Sequence, residues 1–173
     1  KEAQQPINRQ EALDLNTVIK ASQTLSGEIV LDKLIDSMMY IVIENAGAQK
    51  GFLVLKKEAK WVIEAEVDVD KKEVELLQSI SVEMCYSVSS RIIYYVARTQ
   101  KNVVLHDAVN DGDFTDDPAI KKRQSKSILC TPLINQGQVS GILYLENNFT
   151  TGAFTSERVE LLKLLSSQMA MAL

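Results

Sequence analysis

Apolar residues along this chain change period several times, and each change marks an element. Over 11–24, Leu15, Val18, Ile19 and Ser22 recur at spacings of three and four, the helical period. Ser26-Gly27 interrupts the run. It resumes over 29–45 with Ile29 or Val30, Leu34, Met38 and Ile41 or Val42 on one face, and Asn45-Ala46-Gly47 supplies a stop. Two strand-like runs follow, 51–55 and 61–67, joined by the charged hairpin KKEAK. Residues 74–82 fit a strand or a short helix. Helical spacing returns over 88–98, with Ile92, Ile93, Val96 and Ala97 on its buried side, and a short strand is expected at 103–105. The stretch 106–124 is polar and predicts a loop with one or two short helices.

The last third is the clearest. It reads as a strand, a tight Gln136-Gly137 turn, a second strand, a loop and an amphipathic helix. The two strands match across the turn, with Ile128, Cys130, Pro132 and Ile134 facing Val139, Gly141, Leu143 and Leu145 in some register. Thr155 is the expected N-cap of the final helix, and Glu157 sits where the helix dipole favours an acid. Antiparallel hairpins with helices at both ends argue an α+β fold. The terminal helices should share one face of the sheet. The middle helix and the 106–124 loop should cover the other.

Composition narrows the function classes. The 173 residues are 46% apolar and 24% charged, enough for one sizeable core. A net charge of -4 gives no electrostatic case for nucleic acid or anionic membranes. No apolar run approaches the roughly 20 residues a membrane span needs. Two cysteines, Cys85 and Cys130, make no disulfide framework and point to a reducing compartment, so a cytoplasmic location is expected. The first residues, KEAQQPINRQ, lack the apolar region of a signal peptide. A start at Lys and an end on an apolar helix suggest a piece of a longer protein. Residues 1–12 read as a linker or helix start, and 13–173 as one domain.

Several segments in order carry a family resemblance: IVIENAGAQKG, FLVL, YSVSSRIIYYVARTQKNVVLHDA, GDFTDDPAIKKRQSKS, ILCTPLINQGQVSGILYLEN and GAFTSERVELLKLLSSQMA. The chain resembles a GAF domain, a small-molecule-binding sensor module of signalling proteins. Its wording is most similar to GAF modules in large bacterial multi-sensor kinases. There a Ser/Thr kinase-like and an ATPase-like region precede the module and a histidine kinase follows. The resemblance implies a central antiparallel sheet of about six strands, with the N- and C-terminal helices on one face. It places a ligand pocket on the other face. The pocket candidates it suggests are Phe52, Val54, Ile93, Val96, His106, Asp107, Phe114, Ile120, Cys130 and Leu143.

Specific chemistries fare worse. GAF domains that bind cyclic nucleotides carry an Asn-Lys pair, then a Phe, then three residues and an Asp-Glu pair. Here the Lys position is Asn148, and Arg158 and Val159 follow Phe154 where the acids should stand. Covalent bilin attachment needs a thiol in the segment before the final hairpin, and 106–127 contains no Cys. Asp111, Asp113, Asp116 and Asp117 lack the closing Glu of a calcium loop, and His106 is the one histidine, so no metal site is expected. The cations Lys121, Lys122, Arg123 and Lys126 should neutralise those acids or meet an anionic ligand.

The last helix has too many apolar positions for one core. Val159, Leu162, Leu165 and Met169 form one face, and Leu161, Leu164, Gln168 and Met171 or Ala172 a neighbouring one. Together they exceed the ~100° stripe that packing on a single core requires. With Leu15, Val18 and Ile19 of the first helix they form a candidate homodimer surface. The expectation is a non-catalytic sensory module of a signalling kinase. It binds a small molecule or partner and acts on kinase domains of the same parent chain through dimeric helices. Two alternatives remain: a dimerisation scaffold whose pocket is filled by Phe52, Trp61, Ile92 and Phe114, and a redox enzyme or sensor using Cys85 and Cys130.

Overall fold

The structure, a computed structural model, describes residue 15, residues 28–71 and residues 73–173. The expected linker at 1–12, most of the first helix, and Val18 and Ile19 lie outside the described residues. In chain order the elements are α1 (Glu28–Ala46), β1 (Lys50–Lys57), β2 (Lys60–Asp68), β3 (Glu73–Ser81), a 3₁₀ turn (Val82–Met84), α2 (Ser90–Thr99), β4 (Val103–Leu105), α3 (Pro118–Arg123), β5 (Ser127–Asn135), β6 (Gln138–Asn147) and α4 (Ser156–Ala172). The ambiguous 74–82 segment is thus a strand that runs into a 3₁₀ turn.

The six strands form one antiparallel sheet in the order β3-β2-β1-β6-β5-β4. Side chains alternate between its two faces. On one face Leu53, Ala65, Val67, Leu129, Leu133, Leu143 and Leu145 meet α1 and α4. Buried residues of α1 recur at Leu34, Ile35, Met38, Met39, Val42, Ile43 and Ala46, a single helical stripe. Gly47 ends α1 in the left-handed region at φ 74°, and its carbonyl accepts from Asn147 Nδ2 at 2.9 Å. On the opposite face Phe52, Val54, Ile63, Ile128, Cys130, Ile142 and Tyr144 meet α2, α3 and the 106–117 connection.

The final hairpin corrects the expected pairing. Asn135 pairs with Gln138 and Ile134 with Val139, but the register shifts between Leu133 and Ile134. Beyond this bulge Cys130 opposes Tyr144 and Thr131 opposes Leu143. One extra residue turns every later side chain of β6 to the other face. Leu143, expected in the pocket, therefore packs against the terminal helices instead.

Candidate functional site

Seven of the ten expected pocket residues, Phe52, Val54, Ile93, Val96, Phe114, Ile120 and Cys130, share one buried cluster under α2 and α3. They fill this space rather than line it. Phe52 and Tyr144 meet edge-on with centroids 6.0 Å apart, as do Tyr95 and Phe114. His106 is exposed and Asp107 half-buried, outside the cluster. The His106 carbonyl accepts from Gly152 N–H at 2.9 Å, and Asp107 accepts from the Asn110 amide at 3.0 Å. His106 instead borders a separate hollow of about 250 Å³ with Val104, Phe154, Ser156, Val159 and Glu160.

The larger opening lies beside the filled layer. A cleft of about 510 Å³ runs between the segment 82–91 and the start of α3. Its walls are Val82, Glu83, Cys85, Tyr86 and Val88, the first turn of α2 at Ser90 and Arg91, and Asp117, Pro118, Ala119 and Lys122. None of the ten expected residues lines it, and no strand contributes a wall.

Two helix starts are tied together at its floor. Ser89 caps α2, its hydroxyl accepting from Ile92 N–H at 3.2 Å while donating to Asp117 Oδ2 at 2.8 Å. Asp117 caps α3, its Oδ1 accepting from Ala119 N–H at 2.9 Å and Ile120 N–H at 3.2 Å. The Tyr144 hydroxyl accepts from Ser89 N–H at 3.2 Å. Ser89, Asp117 and Tyr144 are all buried, so these bonds replace water and fix the separation of α2 and α3. Burial, then the Glu146 carboxylate, hold the Tyr144 phenol well above its ordinary pKa. At the other end of α3, Arg123 Nη2 reaches the buried Glu146 carboxylate at 2.7 Å, and Asn148 donates to the same oxygen.

Among the charged walls of the cleft, the acids are engaged. Asp117 has the three donors above. Glu83 accepts from Ser81 Oγ at 2.6 Å and from Tyr94 Oη, and these two hydrogen bonds lower its pKa. Burial and the bond to Glu83 push the Tyr94 phenol up to about 12. Arg91 holds Asp116 at 2.9 Å and lies over the Phe114 ring, while Lys122 has no ion-pair or hydrogen-bond partner among the described residues. The basic run thus divides: Arg123 turns inward to Glu146 and Lys122 faces the cleft. The sequence carried one sign of this geometry. Asp117-Pro118 is a helix-start pair, an N-cap acid followed by proline at the first helical position.

Cys130 is fully buried, and burial pushes its thiol pKa far up, which keeps it protonated and a poor nucleophile. Cys85 is half-buried at the cleft, and both thiols are free. On α4, Leu162, Ser166, Met169, Ala170 and Ala172 face the core. Leu161, Leu164, Gln168 and Met171 are exposed, Leu164 at 68% and Met171 at 59%. Leu15 packs partly buried on the helix-side core. No helix among the described residues is long and apolar enough to cross a membrane.

A model of the GAF domain family matches residues 30–173. Hybrid signal transduction histidine kinase G of Dictyostelium discoideum is 27% identical, covering 94% of this chain and 8% of that protein. Peroxide stress-activated histidine kinase mak3 of Schizosaccharomyces pombe is 26% identical, covering 94% of this chain and 7% of that protein. The chain thus spans less than a tenth of these kinases. Among solved structures, the GAF domain of an Acinetobacter phosphoenolpyruvate-protein phosphotransferase superposes with a TM-score of 0.59 at 18% identity, covering 94% of this chain and 92% of that one. The type II free methionine-R-sulfoxide reductase of Thermoplasma acidophilum superposes with a TM-score of 0.57 at 14% identity, covering 92% and 94%. At these identities the two structures speak for the fold alone.

Proposed function

The chain belongs to the GAF domain family, and from that premise we propose that it is a non-catalytic regulatory module of a signalling histidine kinase. It pairs with a second copy through α4 and passes the state of the α2–α3 layer along that helix to kinase domains of its parent chain. The observation that carries this reading is the two-faced α4. One face is core, while Leu161, Leu164, Gln168 and Met171 recur outside it at spacings of three, four and three, the seam of a coiled coil. The similarity to two histidine kinases supports the kinase context. The complete burial of Cys130 supports a non-catalytic role over redox chemistry at that thiol.

Sedimentation of the 173-residue chain tests the pairing. A dimer at micromolar concentration is expected, and Leu164→Glu should convert it to monomer without lowering the melting temperature, since the side chain lies outside the core. A monomeric wild type, or a Leu164→Glu dimer, refutes it. A second reading, a dimerisation scaffold without a small-molecule input, draws support from the filled sheet face. Phe52, Ile92 and Phe114 are buried there and Trp61 packs against them. Ligand binding in the α2–α3 cleft separates the two.

A further inference from the structure

We propose that the cleft between 82–91 and the start of α3 is a binding site for a small organic anion, one carboxylate or phosphate group on an apolar body. Its meaning as an input rests on the regulatory reading above. The argument is one of unspent hydrogen-bonding capacity. Each wall carboxylate already holds donors: Asp117 takes Ser89, Ala119 and Ile120, and Glu83 takes Ser81 and Tyr94. The donors are largely unspent. Lys122 has no partner among the described residues, and Arg91 offers Asp116 a single nitrogen in an ion pair whose two side chains are 49% and 75% exposed. An ion pair so exposed is weak and readily exchanged. Ser90 and Arg91 in the first turn of α2 also carry backbone N–H groups without helical acceptors, because Ser89 Oγ takes only that of Ile92. These donors favour an occupant that brings acceptors and negative charge.

The rest of the wall asks for something else. Pro118, Ala119 and the ring of Tyr86 present apolar surface over the buried Val82 and Val88, and Tyr86 is 75% exposed. A free inorganic ion would leave that surface wet. At about 510 Å³ the cleft is within the range of sites for small organic ligands. The site lies at the edge of the cluster filled by Phe52, Tyr144 and Ile120, where Val82 and Val88 belong to both, so an occupant sits against the core without entering it.

Phenylacetate, phenyl phosphate, phenethylamine and benzyl alcohol share a ring and differ in head group. Each is titrated into the isotope-labelled 173-residue chain and followed by amide shifts. At least one anion is expected to shift Ser90, Arg91 and Lys122, with an affinity about tenfold above that of the amine or the alcohol. If only one anion does so, it identifies the head group as carboxylate or phosphate. Lys122→Glu should weaken the anion about tenfold or more, whereas Lys121→Glu, on the same helix but not a wall of the cleft, should not. Equal binding of the amine or the alcohol, shifts confined to other residues, absence of shifts with both anions, or equal loss in both lysine variants overturns the proposal. Its failure leaves the sedimentation result standing. Anion binding that leaves parent-kinase autophosphorylation unchanged tells against the regulatory reading instead.

Discussion

Replacing Ser89 by alanine probes the link between the two helix starts. The Ser89 hydroxyl is fully buried, accepts from Ile92 N–H at 3.2 Å and donates to Asp117 Oδ2 at 2.8 Å. Alanine removes an N-cap, a loss of about 1 kcal/mol. It also leaves one oxygen of a carboxylate only 3% exposed without its donor, a further loss of about 1.5–3 kcal/mol. The sum, about 3 kcal/mol, is large beside a total stability of about 5–15 kcal/mol. Asp117→Ala alone strips the cap from the six-residue α3 and leaves the Ser89 proton without its acceptor. The double variant should lose less than the sum of the two, with a coupling of about 1 kcal/mol or more, because each single variant already breaks the shared bond. Urea unfolding followed by the single tryptophan, Trp61, and by far-ultraviolet circular dichroism gives all four corners of the cycle. A Ser89→Ala loss below about 0.5 kcal/mol, or an additive cycle, would refute the reasoning.

Gly51→Ala places a Cβ 2.9 Å from Ile43 Cδ1, 3.0 Å from Leu145 Cδ2 and 3.2 Å from Val67 Cγ1, so overpacking should cost about 1–3 kcal/mol in a denaturant melt. An unchanged midpoint would show that α1 can move off the sheet. In the native chain a thiol reagent should modify Cys85 first and reach Cys130 only on unfolding; two fast phases of equal amplitude would contradict the burial. Burial, partly offset by Lys50, raises the Glu66 pKa in the folded state. The folded state then holds this proton more tightly than the unfolded one. The ionised form is thus a penalty that is present in full above the folded pKa and fades as pH falls towards the unfolded value. Glu66→Gln should therefore raise the urea midpoint at neutral pH and lose that advantage in acid, and the opposite trend refutes the assignment.

What was legible in the sequence follows from how each element is specified. The α1 stripe and the β5–β6 turn are local: helical spacing from Leu34 to Ala46 and the Gln136-Gly137 pair, both at positive φ, fix them without help from distant contacts. The face of Leu143 is not local. Counting outward from the turn assumes an unbroken ladder, and the bulge past Ile134 changes the parity of everything beyond it. The same limit hid the cleft. Membership of the core could be guessed from apolar residue type, hence Phe52, Ile93, Phe114 and Ile120. A cleft is defined by where packing stops, and here it stops between two segments that are distant in sequence. Their spacing is set by side chains of ambiguous type, Ser89 and Asp117, whose pairing no periodicity announces. The α4 surface was legible for the opposite reason. Leu161, Leu164 and Met171 are apolar residues beyond what one core can use, and surplus of that kind shows in the pattern itself. A domain of this design thus announces the helix that leads out of it more plainly than the site that would control it.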